Sequence, residues 1–475
     1  MRVLLVEDNA TFASQVEKAL ADMPDCELVW AKSRDAAVAV LEAEAFELIL
    51  LDRRIPTIND QLDDHIDHGQ AVFTFIRDRL PGTPVWFLTG TEDTDFAADL
   101  LGEARQLDLN GTRHDEALYR VWWKRKISDA VKALKAFGVQ RGILDNIALN
   151  LHQDNGAFEL SSDEQRVVRL FARRHDGASV TVVSLNGGYS DSRVLRLTVH
   201  HADGRPLLSA AAKVASFGAT RDEHARYNDH INKLVAGGFP QIIEVMPAGA
   251  GAVGGIFYGM VGGGVENIFA RIAGNPDGAA AIPPLVRAIQ APWHDAGKAK
   301  AVTVGQVRRK LIGDVALDKA KAELQDIYIS AVEAKKIQVT ESCQHNDMHG
   351  ANVVFGGDGR PMLIDFGDAG GSFAALDPIT LELSMIFHSQ RAKLPGTWPS
   401  EARMAEWPDL DAYVADCPYA GFIRACRQWA LEVSASEEEC LALAYAYAVR
   451  QLKYPDTPKG HARALIKASI GRLTA

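Results

Sequence analysis

The chain has 475 residues, 47% of them hydrophobic and 24% charged, with a formal net charge of −11. That length exceeds one ordinary core and suggests about three domains. The acidic balance disfavours nucleic acid and anionic membranes as partners. The five cysteines are odd in number and lack a CxxC pair, which fits a reducing compartment, the cytoplasm.

The opening MRVLLVEDN is charged within a few residues and does not read as a signal peptide. An apolar run, Val3–Val6, ends at Glu7-Asp8-Asn9, and a helical pattern follows with Phe12, Val16 and Leu20 on one face. A second run, Phe46–Leu51, ends at Asp52; a third, Val85–Leu88, ends at Thr89-Gly90. Strands alternating with helices predict a doubly wound parallel sheet, with function at the carboxyl ends of its strands. Three carboxylates gathered there repel one another unless a cation lies between them, and an oxygen-ligand ion such as Mg²⁺ would serve. Asp52 would then act as nucleophile towards a phosphoryl donor, and the Thr89 hydroxyl would bond the new phosphoryl oxygen. The plain structural alternative is a set of solvated acidic strand ends.

These residues resemble the receiver domains of two-component response regulators, over Met1 to about Ala136. The resemblance implies a flavodoxin-like fold, Mg²⁺ held by Glu7, Asp8 and Asp52, and phosphorylation of Asp52 by a sensor histidine kinase. It also implies a lysine after the fifth strand. Tyr119–Trp123 is that strand, and Lys124 is preferred to Lys126. The segment TINDQLDDHIDHGQ is extra to the family pattern. Its Asp64, His65, Asp67 and His68 have metal-ligand chemistry, but a solvated acidic loop is the preferred reading.

Residues 137–178 form a connector, either a passive linker or a lever. The stretch Ile127 to about Leu151 is helix-compatible. A break at Gln153-Asp154-Asn155-Gly156 follows, and Ser161 or Ser162 then opens a helix running to about His175.

Beyond the connector, Val180–Val183 and Val194–Val199 read as strands flanking Leu185-Asn186-Gly187-Gly188-Tyr189-Ser190-Asp191-Ser192. Such a glycine turn lets backbone N–H groups approach phosphates, although most are plain hairpins. A further strand, Leu207–Val214, carries Lys213; Glu223, at the start of a helical stretch reaching Leu234, is its candidate partner. The longest uncharged run, Ala248–Val265, is glycine-rich and reads as turns and a short buried strand rather than a membrane span. Residues 283–339 read as mostly helical, with the basic cluster Arg308-Arg309-Lys310 on a solvated face. In CQHNDMHGANVVF, His345 and His349 have the i, i+4 spacing of helical zinc motifs. The flanks are strand-like instead, and no glutamate follows His345. A hairpin, Val353–Phe355 and Met362–Ile364, joins Asp347 and Asn352 to Asp365-Phe366-Gly367-Asp368. Phosphoryl transfer needs this set: an aspartate for the acceptor hydroxyl, and an asparagine and second aspartate for Mg²⁺ on ATP.

This half resembles the protein-kinase-like fold, specifically the aminoglycoside and choline phosphotransferase group, from about Val180 to the C-terminus. The resemblance implies Asp347 as catalytic base and Asn352 and Asp365 as Mg²⁺ ligands. It implies Lys213, supported by Glu223, on the ATP phosphates, and Asn186, Gly187, Gly188, Tyr189 and Ser190 as the phosphate-covering loop. Residues 256–261 would lead to the adenine hinge, Asp377-Pro378 resembles a structural pair of the group, and Asp368 would act from behind the ligands. His349 stands where protein kinases usually carry lysine. Asn346 replaces the group's usual glycine, and no APE-like triplet follows the DFG-like segment.

The organisation expected is 1–136 receiver, 137–178 connector and 179–475 kinase-like domain, with an N-lobe at about 179–263 and a C-lobe at about 264–475. The fold class is an α/β flavodoxin-like receiver plus an α+β two-lobed kinase-like domain. The function expected is an ATP- and Mg²⁺-dependent phosphotransferase on a hydroxyl acceptor, a small molecule favoured over protein, under receiver control. A protein Ser/Thr kinase and a nucleotide-binding scaffold without turnover are the alternatives. A homodimer is among the partners a receiver allows, and the sign of control is not encoded in any motif.

Overall fold

The computed structural model describes residues 1–23, 26–90, 106–152, 158–185, 192–260 and 266–475. The chain folds as two compact units, Met1–His224 with Gln241–Met260, and Ala225–Pro240 with Val261–Ala475. Among the described residues no helix is long and apolar enough to cross a membrane.

The first unit begins with β1 (Arg2–Val6), β2 (Glu27–Ala31), β3 (Leu48–Asp52) and β4 (Val85–Thr89). A two-stranded ribbon, β5 (Gln106–Leu107) with β6 (Glu116–Ala117), precedes β7 (Tyr119–Trp123). The main sheet runs β2-β1-β3-β4-β7, and every pairing is parallel. Val3–Val6 and Val85–Leu88 are buried throughout, as strands covered on both faces must be. The helix Ala10–Leu20 packs with Ile127–Asp145, and Arg34–Ala43 packs with Ile66–Arg79.

A second sheet in the same unit contains β8 (Ala148–His152), β9 (Ser179–Ser184), β10 (Arg193–His200), β11 (Pro206–Ser216), β12 (Ile242–Ala250) and β13 (Val253–Gly259). Its order is β12-β13-β11-β10-β9-β8. β8 corrects the expectation of helix as far as Leu151. The helix stops at Asp145, and Ala148–His152 pairs in parallel with β9. The reason is periodicity: Ile147, Leu149 and Leu151 alternate with the smaller or polar Ala148, Asn150 and His152, a spacing of two. The helix Ser162–Arg174 does start where its capping box places it. Ser161 Oγ accepts from Glu164 N at 3.3 Å, and Glu164 Oε2 accepts from Ser161 N at 2.7 Å. Its Phe171 ring stacks on Phe257 with centroids 3.9 Å apart. The helix carrying Glu223 spans Phe217–Asp229, so Glu223 lies mid-helix rather than at the start, and a separate short turn covers Ile231–Lys233.

The second unit is mainly helical. Its longer helices include Ile282–Asp295, Leu376–Phe387, Ala420–Val433, Glu437–Gln451 and Lys459–Thr474. Small strands line it: β14 (Glu266–Asn267), β15 (Lys298–Thr303), β16 (Lys336–Gln344), β17 (Val353–Phe355), β18 (Pro361–Leu363) and β19 (Gly370–Phe373). β17 pairs with β14 and β18, while β16 pairs with β15 and β19. Strands β15 and β16 thus interrupt the region expected to be mostly helical, because KIQVTESCQ alternates buried and exposed positions over its first turns of pleat. The basic cluster is also not one solvated face. Arg308 is buried, its Nε and Nη2 donating to Glu333 at 2.8 and 3.0 Å, and its Nη1 to Ile312 O at 3.0 Å.

His294 ends the helix Ile282–Asp295. Trp429 Nε1 donates to its Nε2 at 3.3 Å, and burial, with Arg287 nearby, pushes its pKa from 6.5 down to about 4. A depressed histidine stabilises the fold above its unfolded value and loses that contribution as pH falls through the folded value. Wild type should therefore lose up to about 3 kcal/mol between pH 6.5 and 4 relative to His294→Gln. Urea denaturation of both proteins across that window measures the difference, and parallel curves would contradict it.

Candidate functional site

In the first unit, β1 and β3 end side by side and deliver Glu7, Asp8 and Asp52 to one sheet edge. Glu7 and Asp52 are buried and Asp8 is exposed. One oxygen from each of the three lies within 4.8 Å of the others. Lys124, the first residue after β7, places Nζ 2.7 Å from Asp52 Oδ2 and 2.7 Å from Glu7 Oε2. The lysine at this position is thus Lys124 and not Lys126. Burial and the Asp52 charge push the Glu7 carboxyl up to about 7. Burial raises Asp52 as well, while Lys124 and the Arg54 N–H pull it back. Burial works against the Lys124 charge, but Asp52 and Glu7 outweigh it and hold its pKa above the usual lysine value. One lysine among three carboxylates leaves an excess of negative charge. Three hard oxygen donors with that excess suit Mg²⁺. Thr89 ends β4, buried, at the same edge.

The extra segment after Pro56 is organised by hydrogen bonds. Thr57 Oγ1 donates to Asp63 Oδ2 at 2.6 Å, and His68 uses both ring nitrogens, on Thr57 Oγ1 at 3.3 Å and Ile55 O at 2.9 Å. His65 caps the helix Ile66–Arg79 by accepting from Asp67 N. Among the described residues this segment forms no metal-ligand cluster.

In the second sheet Lys213 lies on β11, between Val194 of β10 and Ile256 of β13. The helix Phe217–Asp229 begins directly after β11 and brings Glu223 back, so that Lys213 Nζ lies 2.8 Å from Glu223 Oε2. Tyr258 OH donates to Glu223 Oε1 at 2.7 Å. Residues Asn186, Gly187, Gly188, Tyr189 and Ser190, expected as the phosphate loop, lie outside the described residues.

In the second unit the loop after β16 is held by Asp377. This fully buried carboxylate accepts from His345 N at 2.7 Å, Asn346 N at 3.0 Å and Gln290 Nε2 at 2.7 Å. Asn346 has φ 66°, the left-handed region that glycine usually occupies and asparagine tolerates. Its side chain donates to Asp368 O at 2.9 Å and Gly370 O at 3.2 Å. His345 Nε2 meets Ile364 O at 2.9 Å, tying the loop to the strand that delivers Asp365. Asn352 Nδ2 donates to Asp347 O at 3.0 Å, and its own carbonyl accepts from Ile364 N at 3.0 Å. Asn352 and Asp365 therefore flank the open end of the β17–β18 hairpin, an amide oxygen and a carboxylate that fit Mg²⁺. Asp365 has φ 63°, a strained conformation of the kind found at functional sites. Gly350 permits the close packing: a Cβ there would meet Phe269 Cε2 at 2.8 Å and Met385 Cε at 2.9 Å.

Asp347 keeps a side chain 34% exposed, with His349 Nε2 3.6 Å from Oδ2 and Arg450 Nη2 3.9 Å from Oδ1. The His349 and His388 rings lie 4.5 Å apart. Burial lowers His349, and burial with His349 pushes His388 down to about 4. Sequence reading missed Arg450 and Gln290, which sit in helices without a motif. Asp377-Pro378 was the signal for the anchor.

Asp377→Ala should leave three N–H donors without their acceptor. A stability loss of about 3 kcal/mol is expected, with the loop that carries Asp347 loosened beyond any loss of folded protein. Denaturant titration and amide hydrogen exchange over residues 345–352 of the folded protein measure the two effects.

Residues 3–108 match the family model of the response regulator receiver domain. No curated protein matches the chain significantly. A CheY-like receiver domain protein from Methanospirillum hungatei JF-1 is 18% identical, covering 30% of this chain and 98% of its own, with a TM-score of 0.21. The aminoglycoside-3'-phosphotransferase of type VIII is 17% identical, covering 62% of this chain and 98% of its own, with a TM-score of 0.36. A thermostable mutant of aminoglycoside phosphotransferase APH(4)-Ia, solved with ADP and hygromycin B, is 11% identical, covering 64% and 98%, with a TM-score of 0.36. The N-terminal region is a response regulator receiver domain, and the solved structures similar to the rest of the chain are phosphotransferases of kinase-like fold.

Proposed function

We propose that the protein is a cytoplasmic two-component response regulator. Its receiver takes a phosphoryl group on Asp52 from a histidine kinase, and its output is an ATP- and Mg²⁺-dependent phosphotransferase acting on a hydroxyl group. The observation that carries the output reading is the single hairpin that holds Asn352 and Asp365 together at its open end, with Asp347 bonded through its carbonyl to Asn352. Asp347 orients the acceptor hydroxyl and takes its proton. Asn352 and Asp365 would hold Mg²⁺, which neutralises charge on the transferred phosphoryl group when bound. Lys213 is assigned to the ATP phosphates, with Glu223 and Tyr258 fixing its direction, and Asn186–Ser190 to the covering loop. Most of the rate comes from positioning and charge neutralisation, so a carboxylate base suffices.

A small-molecule acceptor is favoured over a protein. From Asp365 the chain passes through β19 straight into the helix Leu376–Phe387. That leaves no long segment on which a peptide could dock. All five cysteines are free, in keeping with a reducing compartment.

At the receiver, Lys124 holds Asp52 in the ionised form that attacks a phosphoryl donor, and Thr89 is assigned to the oxygen that arrives. Phosphorylation would change the charge that Lys124 faces and bias a two-state receiver.

Asp347→Ala should abolish phosphate transfer and leave ATP binding intact, whereas Asp365→Ala should weaken Mg²⁺-dependent ATP binding itself. Normal turnover by Asp347→Ala would remove the assignment of the base. Asp52→Asn should block labelling by a low-molecular-weight phosphodonor. Mg²⁺-dependent ATP turnover should change with beryllofluoride in wild type but not in Asp52→Asn, and an unchanged rate in wild type would separate the receiver from the output.

A further inference from the structure

We infer that the hydroxyl acceptor is an anionic small molecule, bearing a carboxylate or phosphate monoester that Arg450 holds; this deepens the phosphotransferase reading and rests on it. Arg450 lies in the last turn of the helix Glu437–Gln451. Its Nη2 is 3.9 Å from Asp347 Oδ1, close enough for attraction but too far for a hydrogen bond. Both side chains reach solvent, Arg450 at 23% and Asp347 at 34% exposure. Tyr454 also interacts with the Arg450 side chain. A guanidinium has five N–H donors, so donors remain for a third group beside Asp347.

The placement is rigid. Residues 439–449 of this helix are buried on every side, so the guanidinium is carried on a helix that cannot swing away. A helix C-terminus favours a cation, and the sequence supplies a second one just beyond: Lys453 Nζ lies 4.7 Å over the Tyr454 ring.

Arg450 is the cation that faces Asp347 among these neighbours. The carboxylates acting on His349 are Asp347 and Asp365, and both have assignments in the reaction. Burial lowers both His349 and His388, so it works against a positive charge on either. An acceptor whose hydroxyl sits within hydrogen-bond reach of Asp347 must place its next atoms within a few ångströms of Arg450. A cationic acceptor would meet like charge there, whereas a carboxylate or phosphate meets a planar donor fork that suits it. The step balances without another reagent. The acceptor oxygen bonds the γ-phosphorus, the bond to the β–γ bridging oxygen breaks with its electron pair leaving on ADP, and Asp347 takes the hydroxyl proton.

The test uses the full chain, Mg²⁺ and γ-labelled ATP. A small-molecule cell extract, cleared of nucleotides, is split into anion-exchange-retained, cation-exchange-retained and unretained fractions, and label transfer is measured in each. Transfer should appear in the anionic fraction, and the charge of the labelled product then distinguishes carboxylate from phosphate. With that acceptor, Arg450→Ala should raise its KM about 30-fold while the KM for ATP stays unchanged, and Arg450→Lys should recover part of the loss. Transfer confined to the cationic or unretained fraction overturns the inference and leaves the phosphotransferase reading standing. A fall in kcat with the acceptor KM unmoved also overturns it, since Arg450 would then only position Asp347. No transfer in any fraction, by protein that binds ATP, overturns the phosphotransferase reading and the inference with it.

Discussion

The arginine face of the helix Ser162–Arg174 holds the first unit together. Arg166 pairs with Glu47, whose carboxylate also takes the Arg2 N–H at the start of β1. Arg173 donates to Asn110 O at 2.8 Å and Gln140 O at 3.2 Å. Arg174 bridges Asp108 at 2.9 Å and Glu244 of β12. The opposite face of the helix stacks Phe171 on Phe257 of β13. One helix thus clasps the receiver with charge and the second sheet with both charge and apolar surface. Removing one partner from a buried pair of this kind costs about 3–5 kcal/mol. The backbone adds a direct tie, Gly82 N to Gly251 O at 2.9 Å, and a Cβ on Gly82 would press to 2.9 Å from the Ala250 carbonyl carbon.

Given that clasp, the receiver lysine is wired to the second sheet. Lys124 stands just before the helix Ile127–Asp145. Leu134 and Phe137 of that helix belong to the receiver core, and Leu144 belongs to the core under the second sheet. The chain then enters β8, which pairs with β9. A shift of Lys124 would therefore act on a continuous helix and strand rather than on a slack linker. The same junction holds a cost. Arg141 is fully buried, its guanidinium 4.8 Å from the Phe137 ring centroid, and burial with Arg166 alongside pushes it down to about 9. Its Nε and Nη1 have no hydrogen-bond partner among the described residues. A buried cation short of partners makes the junction less stable than its area suggests. A two-state element needs that small margin.

The strands buried on both faces were legible in the sequence as continuous apolar runs, and the acidic strand ends with them. β2 carries no such signal, because it is an edge strand in which only Ala31 is buried. β8 looked helical because its alternation is short and follows a true helix without a proline or glycine stop. The Lys213–Glu223 pair was a candidate from sequence despite its short spacing. A helix starting directly after β11 reverses the chain, and the pair forms. Arg308 shows the limit of reading charge by composition, since one member of a basic run folds inward once Glu333 is present to meet it. Arg450 was invisible because its relation to Asp347 is purely tertiary, and nothing local marks it.

The departure at Asn346 has a physical explanation that bears on control. Asn346 and Asp365 both hold left-handed backbone, a conformation that costs free energy and persists only where the surroundings over-determine it. Asp377, Gln290 and Ile364 provide those surroundings, and all lie in the second unit. The proposed base and metal ligands are therefore fixed by their own unit. The receiver shares its unit with Lys213, Glu223 and Tyr258 instead. One packed route from Asp52 runs through Lys124 and the helix Ile127–Asp145 into the sheet that carries Lys213. Under the proposed function, phosphorylation of Asp52 would act through this sheet, where Lys213 is assigned to the ATP phosphates. The loop that carries Asp347 would then stay as its own buried hydrogen bonds hold it, in either state of the receiver.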